Sequence, residues 1–159
     1  MLEQSELEEL RASGQLNSSI ELKTHILIDR SLCGEIVELT ENYCKVRLET
    51  TKEMIADNEG LIHGGFIFSA ADFAAMSAVN EPYVVLAASQ VEFLAPIEYG
   101  DSVEFEANVK HKDSRKRVVD VIGRTLDVKV FEGKFTTVVL QDHVLDLKLK
   151  QRRKLPDNL

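Results

Sequence analysis

The rhythm of apolar and polar residues changes three times along the chain. At the start, Leu2, Leu7 and Leu10 share one stripe at helical spacing and Gly14 offers a stop. A short amphipathic helix is expected there, followed by a polar connection over residues 15–19. From Ile20 to Thr50 the rhythm becomes alternating. Ile26 and Ile28 lie two apart, between His25 and Asp29. Ile36, Val37 and Leu39 are set against Glu35 and Glu38, and Val46 and Leu48 against Lys45, Arg47 and Glu49. A period of two is the mark of half-buried strands, and Thr40–Asn42 between two such runs predicts a hairpin turn. Residues 51–62 read as irregular connection. Then HGGFIFSAADFAAMSAVN (His63 to Asn80) runs without proline and rich in alanine. It predicts a helix over Gly65–Val79, with Pro82 beyond its end. The second half predicts strand after strand: Val84–Phe93, Val103–Val109 with strict alternation, Val118–Phe131 and Lys134–Leu140. Turns are expected at Pro96–Asp101 and at Glu132–Gly133, and a polar loop at HKDSRKR (His111 to Arg117).

Two strands, one helix and about four further strands define an α+β class. A helix with almost no polar face has to be enclosed, and a curved antiparallel sheet wrapped around one long central helix does so. Ala70, Ala71, Ala74, Ala75 and Ala78 leave room for strands to approach it. Such a sheet has open edges, which pairing with a second copy would cover. Residues 20–146 are expected to form this domain, between an N-terminal helical extension (1–19) and a basic C-terminal tail (147–159).

Composition narrows the function classes. The 159 residues are 44% hydrophobic and 29% charged, enough for one packed core and no membrane span. The net charge of −8 has the wrong sign for coating nucleic acid. It is unevenly spread: residues 148–159 carry +4, which leaves −12 on the rest. The tail reads as a solvated end or as a contact for an acidic partner. Cys33 and Cys44 match no metal or disulfide spacing, and the N-terminus has no apolar signal run. A reducing, cytoplasmic location is expected. His25, His111 and His143 are scattered, so no metal is expected.

Chemistry concentrates on the long helix. From Gly64 to Val79 the polar side chains are Ser69, Asp72 and Ser77. Serines can bond back to their own helix backbone. An ionised Asp72 on an apolar, enclosed helix is costly unless it is paired or used. Gly64 and Gly65 sit in the first turn, where backbone N–H groups lack partners and the dipole is positive. Without side chains they let an acyl carbonyl oxygen approach, as in an oxyanion hole. His63 precedes them as a cap, a loop-orienting group or an ordinary helix-start residue. Asp72 lies seven residues after Gly65, about 10 Å along the axis, too far for both to serve one carbonyl within one subunit. Two antiparallel helices across a two-fold axis would bring one copy's Asp72 to the other's Gly65. A dimer with two composite sites follows as an expectation.

The helix stretch resembles the HGG-containing hotdog-fold acyl-CoA thioesterases of the phenylacetate-pathway type: HGG, an apolar pair, then a small-small-Asp step. VVLAASQVEFLAPIEYGDSVEFEANV also resembles the family, in a strand, F-L-x-P, G-D and the next strand. The resemblance covers roughly residues 32–140 and implies a hotdog fold, a homodimer or dimer of dimers, and hydrolysis of an acyl-CoA thioester, with CoA part of the substrate and no separate cofactor. By position it makes Asp72 the catalytic acid, Gly65 the glycine whose N–H polarises the carbonyl and His63 the first residue of HGG. Some relatives carry Asn six residues before HGG, where this chain has Asp57, with Asn58 one place off. Asp57, Asn58, Gly64, Phe66 and Phe73 are the expected substrate contacts, although Phe66 and Phe73 suit a core equally. A carboxylate at 57 close to Asp72 would raise its pKa. Lys112, Arg115, Lys116 and Arg117 suit either a solvated turn or CoA phosphates. A non-catalytic acyl-CoA-binding sensor or assembly factor is the alternative reading. A hydratase is disfavoured, because no Asp and His occur together at a usable spacing on a loop before the helix.

Overall fold

The elements of the computed structural model, which describes residues 5, 17–18 and 20–147, follow from where the alternation is uninterrupted. In chain order they are β1 (Asn17–Ser18), α1 (Arg30–Cys33), β2 (Glu35–Thr40), β3 (Tyr43–Glu49), a 3-10 turn (Lys52–Met54), α2 (Gly64–Val79), β4 (Val84–Phe93), β5 (Ser102–Asp113), β6 (Lys116–Thr125) and β7 (Val128–Val139). One seven-stranded sheet has the order β1-β2-β3-β5-β6-β7-β4. It is antiparallel throughout except for the two-residue β1, which runs parallel to β2.

The sheet curls around α2. Cys44, Val46 and Leu48 of β3, Val103, Phe105 and Ala107 of β5, and Val119 and Val121 of β6 are buried, while their alternates face outward. The five alanines of α2 are fully or almost fully buried, and their small size lets the strands close in. Phe131 packs between Phe105 and Phe135, with ring centroids 5.8 and 6.4 Å away. Each fully buried large apolar side chain contributes about 1.5–3 kcal/mol, so this layer dominates the stability. Asn80 ends α2 in the left-handed conformation, φ +52°. Its amide also ties residues 21–23 across the helix end: Lys23 N–H donates to Asn80 Oδ1 at 2.7 Å, and Asn80 Nδ2 donates to the Glu21 carbonyl at 2.8 Å.

Several boundaries differ from the sequence expectation. Ile26 and Ile28 are not in a strand. Residues 25–28 form a turn closed by Ile28 N–H to His25 O, and Ile26 and Leu27 project into solvent. The expected loop over residues 111–117 is mostly strand, because β5 and β6 pair out to Asp113 and Lys116. The expected strand Val118–Phe131 is broken by Leu126 and Asp127, both at positive φ, in a two-residue hairpin turn. The expected turn at Glu132–Gly133 lies inside β7. Gly133 occurs there because a side chain would collide with Val91, 2.6 Å from an added Cβ. Helix α2 begins one residue earlier than expected, at Gly64. The amphipathic start (Leu2 to Gly14) and the basic segment from Lys148 lie outside the described residues. No helix among the described residues is long and apolar enough to cross a membrane.

Candidate functional site

The entrance to α2 is fixed by the loop before it. Asp57 Oδ1 accepts the N–H groups of Glu59 at 3.0 Å and Leu61 at 3.2 Å, closing a turn. Ala56 N–H donates to Leu61 O, Ile62 N–H to Ile97 O and His63 N–H to Met54 O, all at 2.7–2.9 Å. Asp57 therefore holds its own loop in shape, and Asn58 lies exposed at the tip of the turn. This pinning sets the direction in which the first turn of α2 points.

In that turn, no bond among the described residues engages the N–H of Gly64 or Gly65, as expected of helix N-termini. His63 makes no side-chain cap bond. Its ring instead lies over Gly65, with Nε2 2.9 Å from where a Cβ would be, and packs edge-on against Phe66 at 6.0 Å. Positions 65, 69 and 72 fall on one helical face. Gly65, Ser69 and Asp72 are all at least partly exposed, whereas Ala70, Ala71, Ala74 and Ala75 are buried. The polar stripe is thus the side of α2 turned away from the sheet. Ser69 Oγ meets the Cys33 thiol at 3.1 Å. Asp72 Oδ1 is buried and has no hydrogen-bond partner among the described residues, and burial alone raises the carboxyl from 3.8 to about 6. No neighbouring carboxylate contributes, so Asp57 does not act on it.

The expected residues divide into three groups. His63, Gly64, Gly65 and Phe66 are brought together at the helix start. Asp72 lies on the same face, two turns away. Phe73 sits in the core at 1% exposure, against the His25 ring. The sequence reading missed an apolar cavity of about 280 Å³ on the other flank of the entrance, lined by Gly64 with Ile62, Ile67, Phe93, Ala95, Ile97 and Val130. Phe93 and Ala95 lie in the F-L-x-P motif, which was the available signal. Arg117 spends its guanidinium on the carbonyls of Ser114 and Lys116 in its own turn. Among the described residues, no cluster of three His, Cys, Asp or Glu side chains could hold a metal ion.

A curved sheet around one central helix, with a diglycine entrance and an isolated acid on the open helix face, places the molecule in the hotdog class. Residues 59–132 match the family pattern of the thioesterase superfamily. It is similar to an uncharacterized Pyrococcus horikoshii protein of known structure (44% identity, TM-score 0.79, covering 80% of this chain and 98% of that one). It is also similar to the Escherichia coli PaaI protein from the phenylacetic acid degradation operon (25%, TM-score 0.66, covering 72% and 84%). Among curated relatives, an Aquifex aeolicus protein named methylthioribose-1-phosphate isomerase is 46% identical over 123 residues, 77% of this chain. The transcription factor FapR of Caldanaerobacter subterraneus is 24% identical over 124 residues, also 77% of this chain. The matches span only 27% and 62% of those relatives' lengths.

Proposed function

We propose that the protein hydrolyses an acyl-CoA thioester at a site shared between two copies of the chain. The observation that carries this reading is the buried, unpartnered Asp72 oxygen on the same helix face as the open amides of Gly64 and Gly65. The acid and the amides are too far apart to act together in one chain, so the partner's helix completes the site. The edge of β4 supports the pairing: Ala87, Ala88, Ser89 and Gln90 are exposed, and among the described residues β4 has only β7 as neighbour.

The thioester carbonyl oxygen accepts the Gly65 N–H, and the positive helix end stabilises the negative charge that develops on it. Asp72 of the second copy then takes a proton from water as the water attacks the carbonyl carbon. Alternatively, Asp72 attacks that carbon itself and water cleaves the resulting anhydride. Either route expels CoA as the thiolate, which takes up a proton, and releases the free acid. A carboxyl raised to about 6 is ionised at neutral pH yet more basic than an ordinary aspartate, as either role requires.

Thiol release from a panel of acyl-CoA esters tests the activity, and Asp72→Asn is expected to lower turnover at least about 10²-fold. Mixing Asp72→Ala subunits with Gly65→Pro subunits tests the sharing. The proline removes the N–H in the first helical turn, and the His63 ring, 2.9 Å from an added Cβ, has to swing aside for it. Activity should return in the mixture, and no return would exclude the composite site. A second reading, a non-catalytic acyl-CoA-binding regulator, is favoured by the relatives named as transcription factors. Tight binding of the same esters without thiol release would decide for it.

A further inference from the structure

The side chains that line the cavity beside the start of α2 are all hydrocarbon. Ile62, Ile67, Ile97 and Val130 are buried. The carbonyls of Ile97 and Val130 already accept N–H groups from Ile62 and Leu94, each at 2.8 Å. Its volume, about 280 Å³, lies just under the roughly 300–1,000 Å³ typical of pockets for drug-sized ligands. One wall is unlike the others. Phe93, the last residue of β4, lines the cavity yet is 53% exposed. Its ring edge comes 3.4 Å from where a Gly64 Cβ would stand, and the ring is held edge-on against Phe131, centroids 5.4 Å apart. It therefore bridges the sheet edge and the helix entrance, as the exposed aromatic wall of the cavity.

We infer that this cavity takes the acyl group as a compact, unsubstituted hydrocarbon, and that Phe93 is the residue that limits its length. The inference rests on the acyl-CoA reading above. An acyl chain whose carbonyl meets the Gly65 amide passes Gly64 into this space. A hydroxyl on the chain would lose its water there and find no side-chain partner. An added methylene gains contact until the chain meets the Phe93 ring, and beyond that it strains the packing.

The test measures kcat/KM for saturated acyl-CoA esters from acetyl to palmitoyl, and for the 3-hydroxybutyryl ester, with the wild type, Phe93→Ala and Ala95→Leu. Calorimetric Kd values for the matching thioether analogues are measured in parallel. The wild type should prefer butyryl over 3-hydroxybutyryl by about tenfold or more. Phe93→Ala should raise the lauroyl-to-butyryl ratio by about tenfold, and Ala95→Leu, which fills the cavity from a partly exposed position, should lower it. Thiol release with the same chain-length profile in both variants would overturn the role of Phe93. No thiol release, but the expected shifts in Kd, would uphold the pocket and overturn hydrolysis. Neither release nor binding would overturn both.

Discussion

Asp72 is a carboxylate kept where water cannot reach one of its oxygens and no donor among the described residues meets it. Because burial raises its pKa to about 6, the folded protein takes up this proton before the unfolded chain does. The ionised form therefore costs stability above about pH 6, and the cost disappears below about pH 4, where the group is protonated in both states. Asp72→Asn should stabilise the fold at pH 8 by about 1–3 kcal/mol, raising Tm by roughly 2–4 °C per kcal/mol. Thermal melts should show this gain shrinking to nothing between pH 6 and 4. A lower Tm at pH 8 would mean that the charge has a stabilising partner. The proposed role gives the opposite sign for turnover: kcat/KM should fall along an acid limb centred near pH 6 in the wild type. Gly133 makes a separate residue-scale case. An added Cβ would meet Val91 Cγ1 at 2.6 Å and Phe135 Cε2 at 3.0 Å. Gly133→Ala should cost about 1–3 kcal/mol by overpacking, read from urea unfolding. Gly133 reads in sequence as a turn, because a glycine that makes room for a neighbour and a glycine that bends the chain look alike until the neighbour is known.

Among elements, the hairpins separate what local pattern specifies from what pairing specifies. The turn between β2 and β3 was legible because Asn42 interrupts two alternating runs, and Asn tolerates the left-handed φ of +63° found there. Asn42→Ala should destabilise by about 1 kcal/mol, while Asn42→Gly should not, as measured by chemical denaturation. The turn at Leu126–Asp127 was hidden. It contains no glycine and continues the alternation of its neighbours, and Leu126 is 93% exposed. Only the register Thr125↔Val128 forces those residues into the left-handed region. The polar run from His111 to Arg117 misled in the opposite sense. Its side chains are charged because that end of the hairpin projects into solvent, and the backbone ladder holds regardless. Helix α2 was the most legible element, since sixteen residues without proline and with alanine at every crossing leave little alternative.

At the scale of the whole molecule, the edge of β4 and the open polar stripe of α2 are the surfaces on which the proposed pairing depends. Ala88→Lys places a charge on that edge. It is expected to give a monomer by light scattering, to leave the circular dichroism spectrum unchanged and to abolish thiol release. A variant that stays dimeric and active would show that the copies meet elsewhere. The amino-acid order by itself determined the α+β class, the enclosed helix, the diglycine entrance and the isolated acid. These depend on period, composition and spacing, which are local properties of the chain. Only tertiary structure decided that Asp57 is spent on its own turn, that Phe73 is core, that Gly133 is a packing residue and that an apolar cavity lined by Phe93 flanks the helix start. Each of these depends on which distant backbone or side chain comes within contact distance, and that is set when strands far apart in sequence settle into one register around the helix.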